Sequence, residues 1–244
     1  MAGRDRRTGR SASARATRRK DAQREARYSR LHPPAGVAPE VWQAALRRQF
    51  GREQDFVLEN TGSEPVFSEF LVSNPASGGR YRVAIRGTGL GDNYCSCPDF
   101  ATNDLGTCKH IEFTLARLES RRSGRAALQK GFQPPYSEVY LRYGARRTVH
   151  FRPGVRCPAR LLAAAGALFS ETAGWELPLE GFPRLDSFLA KTGPDHAVRV
   201  YDDALDFIAQ VRDASRREAL LKAAYPASAK SATLRRLLRE PLHL

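Results

Sequence analysis

No stretch of this chain approaches the roughly eighteen consecutive apolar residues that a membrane-crossing helix needs. The longest candidate, LLAAAGALF at 161–169, is short and Ala-rich, which reads as a buried helix. A membrane-spanning helix is excluded, and no membrane partner is expected. The sequence also lacks the phosphate-cradling pattern GxxxxGK[ST]. GTGLGD at 87–92 is Gly-rich but has neither the Lys nor a following helix, so it reads as a turn. ATP hydrolysis by that route is excluded.

Lysine is scarce: the 40 basic residues are 34 Arg and 6 Lys, a bias that GC-rich coding alone produces. The N-terminus has no apolar segment of the kind a secretory signal carries. The expected location is therefore cytoplasmic and reducing, where clustered cysteines act as metal ligands more often than as disulfides. Cysteine itself is limited to four positions.

What is present suffices for a packed core: of 244 residues, 41% are hydrophobic and 9% aromatic. The formal charge of +14 is unevenly placed, since residues 1–30 hold 11 Arg or Lys against 3 acids, 11 − 3 = +8. Residues 1–36 therefore read as a disordered basic arm with too little apolar surface to offset the entropy of ordering. Such an arm suits a polyanionic partner, with nucleic acid first in line.

Beyond the arm, PEVWQAALRRQF places Trp42, Leu46 and Phe50 at helical spacing behind Pro39. Three strand-like runs follow, DFVLEN, PVFSEFLVSN and RYRVAIRG, separated by the turn formers TGSE and NPASGG, and predict an antiparallel meander. In the third run Tyr81, Val83 and Ile85 alternate with Arg80, Arg82 and Arg86, so one face is predicted to be core and the other basic. From Thr107 a helix is expected, with Ile111, Leu115 and Leu118 on the sheet side and Lys109, Phe113, Arg117 and Arg121 on the other. After GFQPPY the pattern changes to strands alternating with helices, which reads as a small α/β unit.

The predicted class is α+β: an antiparallel sheet with a ββα finger, then a small α/β unit and C-terminal helices. The predicted divisions are the arm at 1–36, a finger domain at 37–125, an α/β accessory domain at 135–226 and a basic amphipathic helix at 227–244.

Three of the four cysteines and one histidine fall within sixteen positions, as Cys95, Cys97, Cys108 and His110. Three thiolates and an imidazole complete the tetrahedral shell that Zn²⁺ prefers. Cysteines at i and i+2 of an extended segment project to one side and can grip one ion. On a helix the same spacing turns through about 200°, so Cys108 should precede the helix and His110 should lie in its first turn. A helix N-terminus there also favours the thiolate. With all four positions filled by protein, the ion is expected to be structural rather than catalytic.

CSCPDF followed by GTCKHIE resembles the SWIM zinc finger, whose signature is CxC, a variable spacer and CxH in a ββα unit. The resemblance covers residues 80–120. It implies attachment to DNA-handling proteins, and the surrounding sequence is most similar to the N-terminal region of bacterial SNF-type helicase-like ATPases. In those proteins the ATPase core begins soon after a segment similar to LLREPLHL, where this chain stops. The implied function is a zinc-binding, nucleic-acid-binding or targeting module without the ATPase core and without catalysis. The alternative is a protein–protein adaptor docking a separately encoded DNA motor or a recombination partner.

Contact with nucleic acid, DNA in the first instance, is expected through phosphates, with Arg80, Arg82, Arg86, Lys109, Arg117 and Arg121 as candidates and Phe113 as a possible base-stacking residue. A metal-dependent nuclease built on Asp195, Asp202, Asp203 and Asp206 is disfavoured, because Asp202 or Asp203 sits where a strand gives way to a helix and reads as a cap. Cys157, before a proline, reads as packing, and His150 as a sheet histidine with satisfied nitrogens.

Overall fold

The computed structural model describes residues 27–191 and 198–224. Most of the predicted arm, Asp195 and the predicted 227–244 helix lie outside the described residues.

Helix α1, Pro39–Arg52, begins on a proline, with Glu40 in its first turn and Arg52 in its last, an arrangement that suits the helix dipole. The predicted meander follows as β1 (Val57–Asn60), β2 (Glu69–Ser73) and β3 (Arg80–Ala84), and a short β4 (Tyr94–Cys95) extends it. The sheet is antiparallel throughout, in the order β1-β2-β3-β4, with Phe70 opposite Val83 and Val83 opposite Cys95. Three helices complete this half: α2 (Pro98–Thr102), α3 (Lys109–Glu119) and α4 (Arg122–Lys130).

One face of the sheet presents Phe70, Val72, Val83 and Ile85 to Ile111 and Leu118 of α3, as the alternation predicts. The other side of α3 is covered too. Gly51 of α1 lies so close that a Cβ there would stand 2.7 Å from the Phe113 nitrogen and 2.8 Å from the Lys109 oxygen. Phe56 then seats its ring edge-on to Phe113 at 5.3 Å. The buried Glu112 of α3 pairs with Arg48 of α1 at 3.3 Å across this crossing, and Arg47 ties α1 to Asp99 of α2 at 2.6 Å. Helix α3 is thus held between a sheet and a helix, with two apolar sides rather than one.

The second half contains β5 (Glu138–Arg142), β6 (Thr148–Arg152), α5 (Ala159–Gly166), α6 (Phe182–Lys191), β7 (Arg199–Val200) and α7 (Asp202–Ala224). Its sheet runs β6-β5-β7, antiparallel between β5 and β6 and parallel between β5 and β7. Parallel pairing needs a long crossover, and the segment carrying α5 and α6 supplies it. Phe151 lies at the centre of the second core, with Phe169, Trp175 and Phe188 at ring distances of 5.5, 5.7 and 6.0 Å. The chain is α+β, as the sequence pattern predicts.

The two halves meet at Tyr143, which packs against both cores. Gly91, at φ +86°, brings its backbone against the tyrosine: its oxygen accepts from the Tyr143 N–H at 2.9 Å, and its own N–H donates to Gly106 at 3.0 Å. A Cβ on Gly91 would stand 2.0 Å from the Tyr143 oxygen. The Gly-rich run is therefore a docking loop whose backbone is committed to the junction.

Candidate metal centre

Each ligand side chain arrives on a different kind of backbone. Cys95 ends β4. Cys97, in extended conformation, caps α2, and its sulfur accepts the Phe100 N–H at 3.4 Å. Cys108, also extended at φ −151° and ψ 169°, stands immediately before α3, and His110 is the second residue of that helix. This is the placement the i, i+2 spacing demands: an extended residue followed by a first-turn residue can converge where two helical ones would diverge.

The four donor atoms all lie within 4.8 Å of one another, and all four residues are buried. His110 Nδ1 is 3.9 Å from the sulfurs of both Cys95 and Cys108. Around a tetrahedral Zn²⁺, with bonds of about 2.3 Å to sulfur and 2.0–2.1 Å to nitrogen, the donors would stand roughly 3.6–3.8 Å apart. The quartet therefore fits one ion with little adjustment. The imidazole is held between Tyr81 at 4.6 Å and Phe56 at 5.3 Å, so its ring plane is set by packing.

The sulfurs are close enough to divide their charge unequally. Hydrogen bonds from its neighbours Cys108 and Cys95 hold the Cys97 thiol far below the ordinary value, as a thiolate. Cys95 is pushed well up, first because it donates to Cys108 and Cys97 and then by burial. Burial raises Cys108 to about 12, against the pull of its bond with Cys95. Three buried sulfurs and an imidazole nitrogen converging on one point form a donor set that could hold a metal ion, whose charge would favour the thiolate forms.

The predicted nucleic-acid contacts are not brought together. Arg80 and Arg82 lie on the sheet face away from α3, exposed, with Arg82 Nη1 3.9 Å from Asp202. Lys109, Arg117 and Arg121 lie on the finger helix and at its end, with Lys109 half-buried and the other two exposed. Two candidates are corrected. Phe113 is only 2% exposed, because α1 and Phe56 cover the helix side that the sequence pattern leaves open, so it has no face for a base. Arg86 is 3% exposed: the second half docks over that end of β3, and its guanidinium grips Asp203 at 2.8 and 2.6 Å. It is an internal ion pair and not a phosphate contact.

That pair opens a network that sequence reasoning missed. The Tyr143 hydroxyl donates to Asp203 at 2.6 Å, and the Arg86 guanidinium lies 3.9 Å over the Tyr201 ring. Tyr201 donates to the fully buried Glu138 at 2.7 Å, and Arg152 lies 2.9 Å from the other Glu138 oxygen. Arg152 returns to the Arg86 carbonyl at 3.1 Å and closes the circuit. Asp203 is therefore occupied, and its role is to hold Arg86 rather than to cap α7. Asp202, by contrast, is 79% exposed at the side chain. His150 has both nitrogens bonded, to Gly174 O at 2.9 Å and to Thr148 at 2.8 Å, and burial lowers its pKa. Cys157 is half-buried at the start of the α5 region, apart from the quartet.

Comparison with protein-family models, with curated proteins and with solved structures gives no match to this chain.

Proposed function

We propose that this chain is a zinc-stabilised module that binds nucleic acid through phosphates and serves to target or anchor a larger DNA-handling machine, without catalysis of its own. The resemblance to SWIM fingers in helicase-like ATPases supports the reading, and the observation that carries it is the complete, buried Cys95–Cys97–Cys108–His110 shell. Catalytic zinc keeps a position open for water or substrate, and four protein donors within 4.8 Å leave none. The ion would hold β4, α2 and α3 together and so orient what lies on their surfaces. The test is metal content and nucleic-acid binding of the purified chain: one zinc per chain, lost in Cys108→Ser, with salt-dependent binding to unrelated duplexes. Binding that does not change between low and high salt overturns the nucleic-acid part.

A protein adaptor is the second reading, and one observation favours it. Most of the α7 side chains from Arg212 to Leu220 are exposed, with Leu220 at 64%, and offer a helix face for another protein to hold.

A further inference from the structure

Helix α3 is held at its N-terminal end by His110 and ends at Glu119, where the chain turns sharply into α4. The turn is tight: a Cβ on Gly124 would stand 2.2 Å from the Leu118 oxygen, so the two helices are locked at a fixed angle. Arg121, Arg122 and Arg125 surround this elbow, and Arg117 lies one turn before it. All four are exposed.

The nearest helix and the seam pair their arginines: Arg47 and Arg48 on α1, and Arg86 and Arg152 at the seam, each face a carboxylate, whereas Arg156, Arg160 and Arg184, scattered over the second half, do not among the described residues. What sets the elbow apart is its density of cations in one short turn. At the elbow Arg117 lies over Phe113 at 5.2 Å and Arg125 Nε is fixed on the Glu119 carbonyl at 3.2 Å, and among the described residues neither they nor Arg121 and Arg122 have an acidic partner. Residues 117–130 hold Arg117, Arg121, Arg122, Arg125 and Lys130 against Glu119 alone, 5 − 1 = +4.

Their position is also costly to the fold. Arg121 is the N-cap of α4 and Arg122 its first residue, and the first turn contains no acid. Cations at a helix N-terminus oppose its dipole, where Asp or Glu would stabilise it. A local rule broken without compensation inside the fold marks a surface kept for something outside it.

We propose that this elbow is the phosphate-binding surface of the module, with Arg121, Arg122 and Arg125 each neutralising a backbone phosphate of nucleic acid. The proposal rests on the nucleic-acid reading above and assigns it to one surface. Arginine forks suit phosphate oxygens, and the groove beside the elbow adds the polar side chains of Thr88, Ser120 and Gln129. Glu119 also lines that groove and sets its acidic limit. None of the large exposed apolar residues lies within 117–130, which disfavours a lipid surface. With no base-reading side chains among these residues, binding is independent of sequence.

The test uses the full zinc-loaded chain and a labelled 20-base-pair duplex, followed by fluorescence anisotropy over a salt series. Arg121→Glu/Arg122→Glu/Arg125→Glu is compared with Arg156→Glu/Arg160→Glu/Arg184→Glu, which makes the same change of net charge on the second half. The elbow triple is expected to weaken binding at least tenfold at low salt and to flatten the slope of log K against log salt by about 2 to 3, as three lost phosphates require. It should melt no lower than the parent, since acids suit that helix end. Equal losses from the two triples, or an elbow variant that binds like the parent, overturn the elbow assignment while leaving the nucleic-acid reading intact. A parent chain with no salt-dependent binding to the duplex overturns both, and so does capture by anionic vesicles in place of the duplex.

Discussion

Arg86 and Asp203 stand 117 positions apart in sequence, yet their side chains form a two-pronged ion pair, 2.8 and 2.6 Å, at the seam between the two sheets. Both are nearly excluded from solvent, at 3% and 8% side-chain exposure. A buried pair is weak evidence of net stabilisation, because desolvation offsets most of its attraction, but the loss of one partner leaves a buried charge alone.

Replacement of Arg86 by alanine should therefore destabilise the chain by about 3–5 kcal/mol, and a double Arg86→Leu/Asp203→Leu variant should recover much of that loss. Urea denaturation of the two variants beside the parent measures both. A single variant that matches the parent would remove the pair from any role in the junction.

The same pair sets a pH dependence. Burial pushes the Asp203 carboxyl up, but the Arg86 hydrogen bonds and charge, helped by the Tyr143 hydroxyl, overcome it and hold the group below its ordinary value. A carboxyl depressed on folding stabilises fully above its unfolded pKa of about 3.9, and that stabilisation is lost as pH falls through the lower folded value. Melting temperature should fall as pH drops below about 4, and Asp203→Asn should flatten that acid limb.

Where α1 crosses α3, only a glycine fits. Gly51→Val would drive a side chain into the Phe113 and Lys109 backbone, 2.7 and 2.8 Å from the first added carbon, and neither can yield as a side-chain tip would. The expected cost is about 1–3 kcal/mol or more, read as a lowered melting temperature with the second core unaffected.

Phe113 and Arg117 separate packing from surface chemistry on one helix. Phe113→Ala should cost about 3–5 kcal/mol of stability through the cavity it leaves. Arg117→Ala should stay within about 0.5–1 kcal/mol, since its guanidinium covers Phe113 from the solvent side. Equal effects on stability would contradict the burial described for Phe113.

Metal affinity should rise steeply with pH. Cys97 is already a thiolate, while Cys95 and Cys108, at about 12 for the latter, keep their protons at neutral pH. Zn²⁺ binding must displace those two protons, so apparent affinity should increase by about two decades per pH unit near neutrality, measured by chelator competition. A pH-independent affinity would mean that the thiols are not the ligands.

Much of this was legible in the sequence because it is local. The ligand quartet follows from spacing within sixteen residues, and the meander follows from period-two alternation and turn formers. Cys108 before the helix and His110 within it follow from the angle a helix turns in two residues. What escaped is long-range. The helical period of α3 shows one apolar stripe, yet Phe113 is buried because α1 returns from more than sixty residues earlier to cover the other side, as its Arg48–Glu112 bond shows. The alternation of the 80–86 run sets Arg86 on the face away from Ile85, but cannot show that the second half of the chain closes over Arg86. Asp203 was hidden by its context, since an acid at a strand-to-helix boundary is usually a cap.

A single structural zinc ion shared by Cys95, Cys97, Cys108 and His110 has a defined signature in zinc-edge X-ray absorption on the purified, zinc-loaded chain. Three sulfur scatterers at about 2.3 Å and one nitrogen at about 2.0–2.1 Å are the expected first shell. A shell with fewer than three sulfurs, or with an oxygen from water in place of one donor, would contradict the account.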